Sequence, residues 1–377
     1  MRIANIIEES RLGGPQIRML RVAENLKKFD KETIIFMPKH NSEKFKKICK
    51  EKKTDFEILD ICSIEKNYFK ILKYILFFIS DIFEVIKKIK SKKIDLIHIS
   101  GGSWQIRGII AGKILKKPII WHINDTNMPK FILLIYKILY PLTTSIIYAS
   151  KKSLSIYQNF DQKPYMIIPS TLDTIYFQKK NLIKTPIFND YSKTLINVSN
   201  LSPVKNIACL LRCVFEIKKK ISNIKLLIIG ETFKSQLHYK KKILNLIDHL
   251  NLKNNVSFLG YQRDVRSLLH QSDIYVCASN YESSPVSIWE AMSMELPIVS
   301  TDVGDLPEYI INDKNGYIVD KNDYIAMSNN IIKILSNKNL KNSMGKLNRT
   351  IAINNFSLDI VSKKTNNFYD QTINFKI

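Results

Sequence analysis

The sequence predicts an α/β chain of two parallel-sheet domains in series. Three observations carry that reading. Short apolar runs alternate with amphipathic stretches from the N-terminus onward, the signature of strand–helix–strand units with helices on both sheet faces. The alternation lapses within Thr171–Lys193 and then starts again. The chain has 377 residues, 45% of them hydrophobic, which is enough for two separate cores.

The elements follow in order. Arg2–Ile7, Thr33–Met37, Leu96–Ile99, Pro118–His122, Ser145–Tyr148 and Met166–Ile168 read as buried strands of a first domain, residues 1–175. Gly13-Gly14-Pro15 separates the first strand from a helix running to about Leu26, because proline suits a first helical turn. Tyr68–Ile89 reads as one helix whose apolar face is wider than a single domain surface needs. Lys70, Lys73, Asp81 and Glu84 interrupt it, which argues against a membrane span. Two readings remain for it: a thoroughly buried helix, or an interfacial helix with a basic rim formed by Lys87, Lys88, Lys90, Lys92 and Lys93. Lys130–Tyr140 poses the same choice.

The segment around Pro186, flanked by Asn181 and Asn189, loses periodicity and reads as the linker. Thr194–Val198, Leu226–Ile229, Val256–Leu259, Ile274–Cys277, Pro297–Ser300 and Tyr317–Val319 then read as the strands of a second domain, residues 190–355. Residues 356–377 read as a C-terminal helix that crosses back to the first domain.

The formal net charge is +24, and residues 1–180 carry 33 Lys+Arg against 17 Asp+Glu. A coding bias toward lysine, isoleucine and asparagine is the plain explanation; attraction to an anionic membrane or to a phosphorylated lipid acceptor is the functional one. Nucleic acid is not expected, since only nine arginines occur and no recognised nucleic-acid motif is present. The five cysteines form no Cys-x-x-Cys pair. Cys209 and Cys213, one helical turn apart, have no histidine cluster beside them and are expected to be buried apolar groups in a reducing compartment. The N-terminus lacks the apolar core and cleavage site of a signal peptide, so a cytoplasmic location is expected, with peripheral contact to the inner membrane face.

Chemistry concentrates at strand ends. Glycines at Gly13 and Gly14 allow a ligand to approach the backbone, while the dinucleotide pattern Gly-x-Gly-x-x-Gly is absent. His98 lies inside an apolar strand and is expected to be structural. His122 ends its strand before the polar loop INDTN, where open α/β sheets bind ligands, and is expected in the site. Lys205 follows the first strand of the second domain, placed to neutralise a diphosphate. Tyr261 and Arg263 end another strand, whose backbone is suited to a nucleobase. In Tyr281–Ile311, Glu282 and Glu290 flank a strand-to-helix junction made by Ser283, Ser284 and Pro285, with serine expected as the N-cap and proline at the first helical position. Free amides at a helix start bind anions, and ionised carboxylates bind hydroxyls. A ligand with a phosphate centre and hydroxyls on both sides is a nucleotide sugar.

These residues carry a resemblance. The Glu-x7-Glu pair Glu282/Glu290, the Gly13-Gly14 loop, SNLSPVKN, FLGYQRDV, the strand ending DIYVCASNYES and the run IVSTDVGDLPEYI resemble the retaining glycosyltransferases of family four, across nearly the whole chain. The resemblance implies the GT-B fold, two Rossmann-like domains facing each other across a cleft. It implies that Glu290 accepts from ribose hydroxyls and Glu282 from hydroxyls of the transferred sugar. Lys205 and the amides around Ser284, Pro285 and Val286 would hold the diphosphate. Asn200, Tyr261 and Arg263 would complete the donor site, Gly14 would approach the donor from the first domain, and His122 would stand near sugar and acceptor.

There are departures. Ser199-Asn200-Leu201 stands where Gly-Arg-Leu is common, so Lys205 would carry more of the diphosphate charge, helped by Arg263 or Arg266. Ser170-Thr171-Leu172-Asp173 replaces the usual Asn-Gly-Val-Asp, and Asp305 replaces a second glycine. No Asp-x-Asp pair lies at a suitable site, so a metal-independent reaction with no cofactor is expected.

The expected activity is transfer of a sugar from a nucleotide diphosphate to a glycan or lipid-linked acceptor, in bacterial surface polysaccharide or glycolipid assembly. Its rivals are a non-catalytic basic module on the same scaffold, bound to membrane or nucleic acid, and another nucleotide-sugar enzyme such as a hydrolase or epimerase.

Overall fold

The computed structural model describes residues 1–9, 11–62, 68–157, 163–180, 182 and 193–375. The chain divides into two units: Met1–Thr171 with Leu358–Ile377, and Leu172–Ser357. The linker residues around Pro186, with Asn181 and Asn189, lie outside the described residues.

Seven parallel strands form the first sheet: β1 (Arg2–Ile6), β2 (Glu32–Pro38), β3 (Phe56–Leu59), β4 (Leu96–Ile99), β5 (Ile119–Ile123), β6 (Ser145–Tyr148) and β7 (Tyr165–Ile167). Their order is β3-β2-β1-β4-β5-β6-β7. The sequence reading omitted β3. It is a four-residue edge strand with a charged residue inside it, Glu57, which pairs with Lys88 and Lys92, so no apolar run marks it.

One sheet face packs Ile6, Phe36, Ile97 and Trp121 against Ile82, Val85, Ile86 and Ile89 and against Tyr136 and Tyr140. The other face packs Ile3, Leu96, Ile120 and Ile147 against Val22 and Leu26 of the helix Gly14–Leu26 and against Val361, Phe368 and Tyr369 of the last helix, Leu358–Asn374.

The stretch expected as one helix over Tyr68–Ile89 is two, Tyr68–Leu76 and Phe78–Ser91, broken at Phe77. The second buries one face, and its Asp81 joins a buried cluster in which Arg107 contacts Asp81 at 2.9 Å and Glu8 at 2.7 Å. Tyr68, Phe69, Ile75 and Leu76 of the first stand exposed. The reading of a thoroughly buried helix therefore fails for both parts: the second buries one face only, with Ile79 and Phe83 exposed, and the first is exposed along most of its length.

Six parallel strands form the second sheet: β8 (Lys193–Val198), β9 (Ile224–Ile229), β10 (Val256–Gly260), β11 (Ile274–Cys277), β12 (Ile298–Thr301) and β13 (Gly316–Val319), in the order β10-β9-β8-β11-β12-β13. All six match expected runs to within a residue or two. Cys209 and Cys213 are buried in the helix Ile207–Lys218, in the apolar core of one sheet face. On the other face Trp289 stacks on Phe356 with ring centroids 3.9 Å apart. Arg349 ties the start of this unit to that core, donating to the carbonyls of Thr174, Phe177 and Ser293.

Both sheets share one logic. The strand order reverses direction beside the first strand, between β1 and β4 in one and between β8 and β11 in the other. The loops leaving these strands diverge to opposite sides, and the gap at their carboxyl ends is where open α/β sheets receive ligands.

Candidate active site

In the second unit the loops after β8 and β11 meet at that gap. Ser202 begins a tight turn, Pro203–Lys205, and Asn206 adopts a left-handed conformation (φ 49°) before the helix Ile207–Lys218. Asparagine tolerates this conformation better than most residues. The loop after β11 clasps this turn: the Asn280 amide donates to the Val204 carbonyl at 2.8 Å. The clasp brings Lys205 onto Glu282, Nζ to Oε1 at 2.5 Å. Ser279 Oγ donates to the same carboxylate oxygen at 2.8 Å, while Thr301 Oγ1 donates to the Ser279 carbonyl at 2.7 Å.

The pair is largely but not fully enclosed, with side-chain exposures of 23% for Lys205 and 14% for Glu282. Burial alone would lower the Lys205 pKa; the adjoining Glu282 carboxylate outweighs it and raises the pKa, so the ammonium stays charged. An ammonium has three N–H donors, so one bond to Glu282 leaves two for a ligand.

Glycines hold these loops at close range. Gly304 has φ +58°, and a Cβ there would lie 2.2 Å from the Ser283 carbonyl oxygen. Asp305 N donates to that same oxygen at 3.2 Å. Gly230 plays the matching part beside β8, where a Cβ would lie 2.0 Å from the Ser199 carbonyl oxygen.

The helix after Glu282 is Val286–Ser293, with Pro285 as its N-cap and no side-chain cap. This corrects the expectation of a serine cap with proline inside the helix. Ser284 Oγ accepts instead from the Trp289 indole at 3.1 Å, and the Pro285 carbonyl accepts from Ile288 and Trp289. The first amides of this helix have no intrahelical acceptor. Glu290 lies one turn further along, half-buried, four residues from Val286 and so on the same side of the helix.

Asn200 sits in the loop after β8, its side-chain oxygen accepting from Ser202 at 3.1 Å. Tyr261 and Arg263 are exposed on the loop after β10, an edge strand two positions from the reversal point. Arg266 is engaged elsewhere: it chelates Asp264, stacks on the Tyr176 ring at 3.6 Å and lines an open groove of about 470 Å³ with Asp173.

In the first unit, Gly13 and Gly14 follow β1, and a Cβ on Gly14 would meet nothing within 4 Å. Internal packing therefore does not demand glycine at this position. Gly102, after β4, has φ +108°, and a Cβ there would lie 2.5 Å from Asp125 Oδ2.

His122 is buried near the end of β5. Its Nδ1 meets His98 Nε2 at 3.2 Å, and His98 Nδ1 meets the Tyr369 hydroxyl at 2.6 Å. His122 Nε2 is buried with no partner. Burial holds both imidazoles well below their ordinary pKa, and nearby Arg18 adds to the effect. His98, expected to be merely structural, is thus wired directly to His122. Arg18 and Tyr369 went unnoticed in the sequence. The available signal was an arginine in the buried phase of a helix, flanked by Met19, Leu20, Val22 and Ala23.

Among the described residues, no three His, Cys, Asp or Glu side chains cluster as metal ligands, and no helix is long and apolar enough to cross a membrane.

The chain is similar to known proteins in sequence and in fold. Residues 178–350 match the family model of glycosyl transferases group 1. An uncharacterised glycosyltransferase of Methanocaldococcus jannaschii is 29% identical over 62% of this chain and 64% of its own length. The N-acetyl-alpha-D-glucosaminyl L-malate synthase of Bacillus anthracis is 29% identical over 52% of this chain and 51% of its own. The match thus spans about half to two thirds of these relatives. The structure of HepE from Anabaena, solved in complex with UDP, superposes with a TM-score of 0.83 at 17% identity, over 98% of this chain and all of that one. The chain has the GT-B fold, and its residues 178–350 are similar to the group 1 glycosyl transferases.

Proposed function

We propose that the protein transfers a sugar, with retention of anomeric configuration, from a nucleotide diphosphate donor to a glycan or lipid-linked acceptor in bacterial surface polysaccharide or glycolipid assembly. The observation that carries this is the Lys205–Glu282 pair, set at the reversal point of the second sheet beside the start of the helix Val286–Ser293. Cation, carboxylate and helix amides together suit a ligand with both phosphate and hydroxyl groups. Relatives support the class. A galactosyltransferase of Escherichia coli, named for UDP-Gal and a GlcNAc-diphosphoundecaprenol acceptor, is 25% identical over 76% of this chain.

In this reading Lys205 and the amides around Ser284, Pro285 and Val286 hold the diphosphate. Glu290 accepts from the ribose hydroxyls, and Glu282 from hydroxyls of the transferred sugar. Asn200, Tyr261 and Arg263 border the nucleotide, Gly13 and Gly14 contribute to donor binding, and His122 stands near the sugar and the acceptor. As the bond from the anomeric carbon to the phosphate oxygen breaks, negative charge grows on the leaving diphosphate. Lys205 and the helix amides stabilise it without a metal ion. The acceptor oxygen bonds to the anomeric carbon, and its proton passes to the departing phosphate.

A membrane-surface location is part of the proposal. The helices Phe78–Ser91 and Lys130–Leu139 contribute to one sheet-face core through Phe78, Ile82, Val85, Leu133 and Tyr136, while Phe69 and Ile75 of the helix Tyr68–Leu76 remain exposed, as do Ile79, Phe83, Phe131 and Ile138. Lysines accompany this apolar surface, including Lys73, Lys87, Lys90, Lys130 and Lys137. Apolar rings with a cationic rim suit an anionic lipid surface.

The test is a panel of nucleotide diphosphate sugars offered for binding and slow hydrolysis, followed by acceptor dependence. Preference for one donor and acceleration by acceptor support transfer. Acceptor-independent turnover would support a hydrolase or epimerase instead.

A further inference from the structure

One cation in the first unit lacks a counter-charge. Arg18 lies on the helix Gly14–Leu26 and is 3% exposed. Its Nε and Nη2 are buried without a partner, and no described carboxylate pairs with it. An uncompensated buried guanidinium is costly and persists where something else supplies acceptors. Burial does depress its pKa, to about 10, which leaves it charged at neutral pH.

The helix that carries Arg18 packs through Val22 and Leu26 in one core with Tyr369 and with Leu96 and Ile120 of β4 and β5, the strands of His98 and His122, and the Arg18 charge acts on all three side chains. The wiring of those three settles which protons they hold. With both imidazoles neutral, the Tyr369 hydroxyl donates to His98 Nδ1, and His98 Nε2–H donates to His122 Nδ1. His122 then carries its proton on Nε2, the atom with no partner. The reverse assignment would leave the Tyr369 hydroxyl proton without a described acceptor. The cluster therefore presents donors only: Nε and Nη2 of Arg18 and Nε2 of His122.

We propose that Arg18 and His122 Nε2–H form a receptor for an anionic oxygen group, phosphate or carboxylate, with His98 and Tyr369 as positioning residues that keep His122 in its donor tautomer. The inference rests on the transferase reading and extends it: such a group belongs either to the acceptor, which would then be an anionic glycan or a lipid-linked phosphate, or to the donor diphosphate.

The experiment is a titration of the full chain with inorganic phosphate, read by ¹⁵N resonances of labelled histidine and assigned by single replacement. His122 Nε2 is expected to be protonated in the parent and to shift on phosphate addition. Arg18→Met is expected to weaken that response at least tenfold, Arg18→Lys less so, and Tyr369→Phe to return His122 to a tautomer mixture. Repeating the titration with saturating nucleoside diphosphate separates the sources. A persisting phosphate response assigns the group to the acceptor, and a response to the nucleoside diphosphate itself, with phosphate then silent, assigns it to the donor. An unshifted His122 in the folded parent under both ligands overturns the proposal, even if calorimetry on the same sample shows nucleotide bound and the transferase reading intact. So does an Arg18→Met variant that folds and responds like the parent.

Discussion

The two reversal points are built alike and provisioned differently. Beside β8 and β11 the charged groups are already paired: Lys205 on Glu282, with Ser279 on the same oxygen. Beside β1, β4 and β5 the donors are buried and unmatched: two guanidinium nitrogens of Arg18 and Nε2 of His122. A paired site rests stably without ligand and must rearrange or share bonds when one arrives. An unmatched site gains most of its stabilisation from the ligand itself. Under the proposed function, the second unit is preorganised for a donor with both charge and hydroxyls, and the first for an acceptor of hydrogen bonds.

The largest effect is expected at the paired site. Lys205→Ala should lower turnover by about two to three orders of magnitude, the usual scale for losing one donor to a developing oxyanion. It should weaken nucleoside diphosphate binding far more than nucleoside binding, as calorimetry would register; equal losses for both would remove Lys205 from the diphosphate. Glu290→Ala should cost a comparable factor in single-turnover assays while circular dichroism stays that of the parent. A folded variant with near-normal transfer would dissociate Glu290 from the ribose.

Glu282→Gln separates pairing from catalysis. The substitution releases Lys205 from its counter-ion, so nucleoside diphosphate affinity should hold or rise, while turnover falls with the lost contact to the sugar. A parallel fall in both would mean that Glu282 mainly orders the loop. Gly304→Ala should act on the same loop more gently. Its Cβ collides with the Ser283 carbonyl and its backbone is left-handed, which should cost about 1–3 kcal/mol in stability by thermal or urea unfolding. An unaltered midpoint would show that the loop yields freely.

The smallest effect concerns the lysine-rimmed surface. The protein should sediment with anionic vesicles at low salt and leave them as salt rises, since exposed charges are screened within about 10 Å at 0.1 M. Ile75→Glu with Phe83→Glu should weaken sedimentation without altering hydrolysis of a soluble donor. Salt-insensitive sedimentation, or none, would remove lipid from the account.

The legibility of the molecule follows from its physics. Parallel strands covered on both faces must be apolar along their length, so β1, β4, β5, β8, β9, β11 and β12 stood out as short runs. β3 did not, because Glu57 sits within an edge strand and answers to lysines rather than to a core. The break at Phe77 carries no glycine or proline, and nothing local announces it. Ser284 looked like a cap, but the indole of Trp289, five residues on, takes its oxygen; only the packed helix reveals that competition. His122 was placed from its position at a strand end. Its partners were hidden, since His98 lies on the neighbouring strand and Tyr369 comes from 247 residues further along the chain. Contacts made by sheet order and by a returning helix leave no local trace.

The central claim is that the loops after β8 and β11 hold a nucleotide diphosphate sugar. Its most direct measurement is donor binding and hydrolysis across a panel of nucleotide sugars, with parent and Glu290→Ala side by side. The account predicts that one donor class binds and is slowly hydrolysed by the parent, and that the variant, still folded, loses this activity. Binding of all phosphate compounds alike, with no sugar nucleotide turned over and no difference between the two proteins, would contradict it.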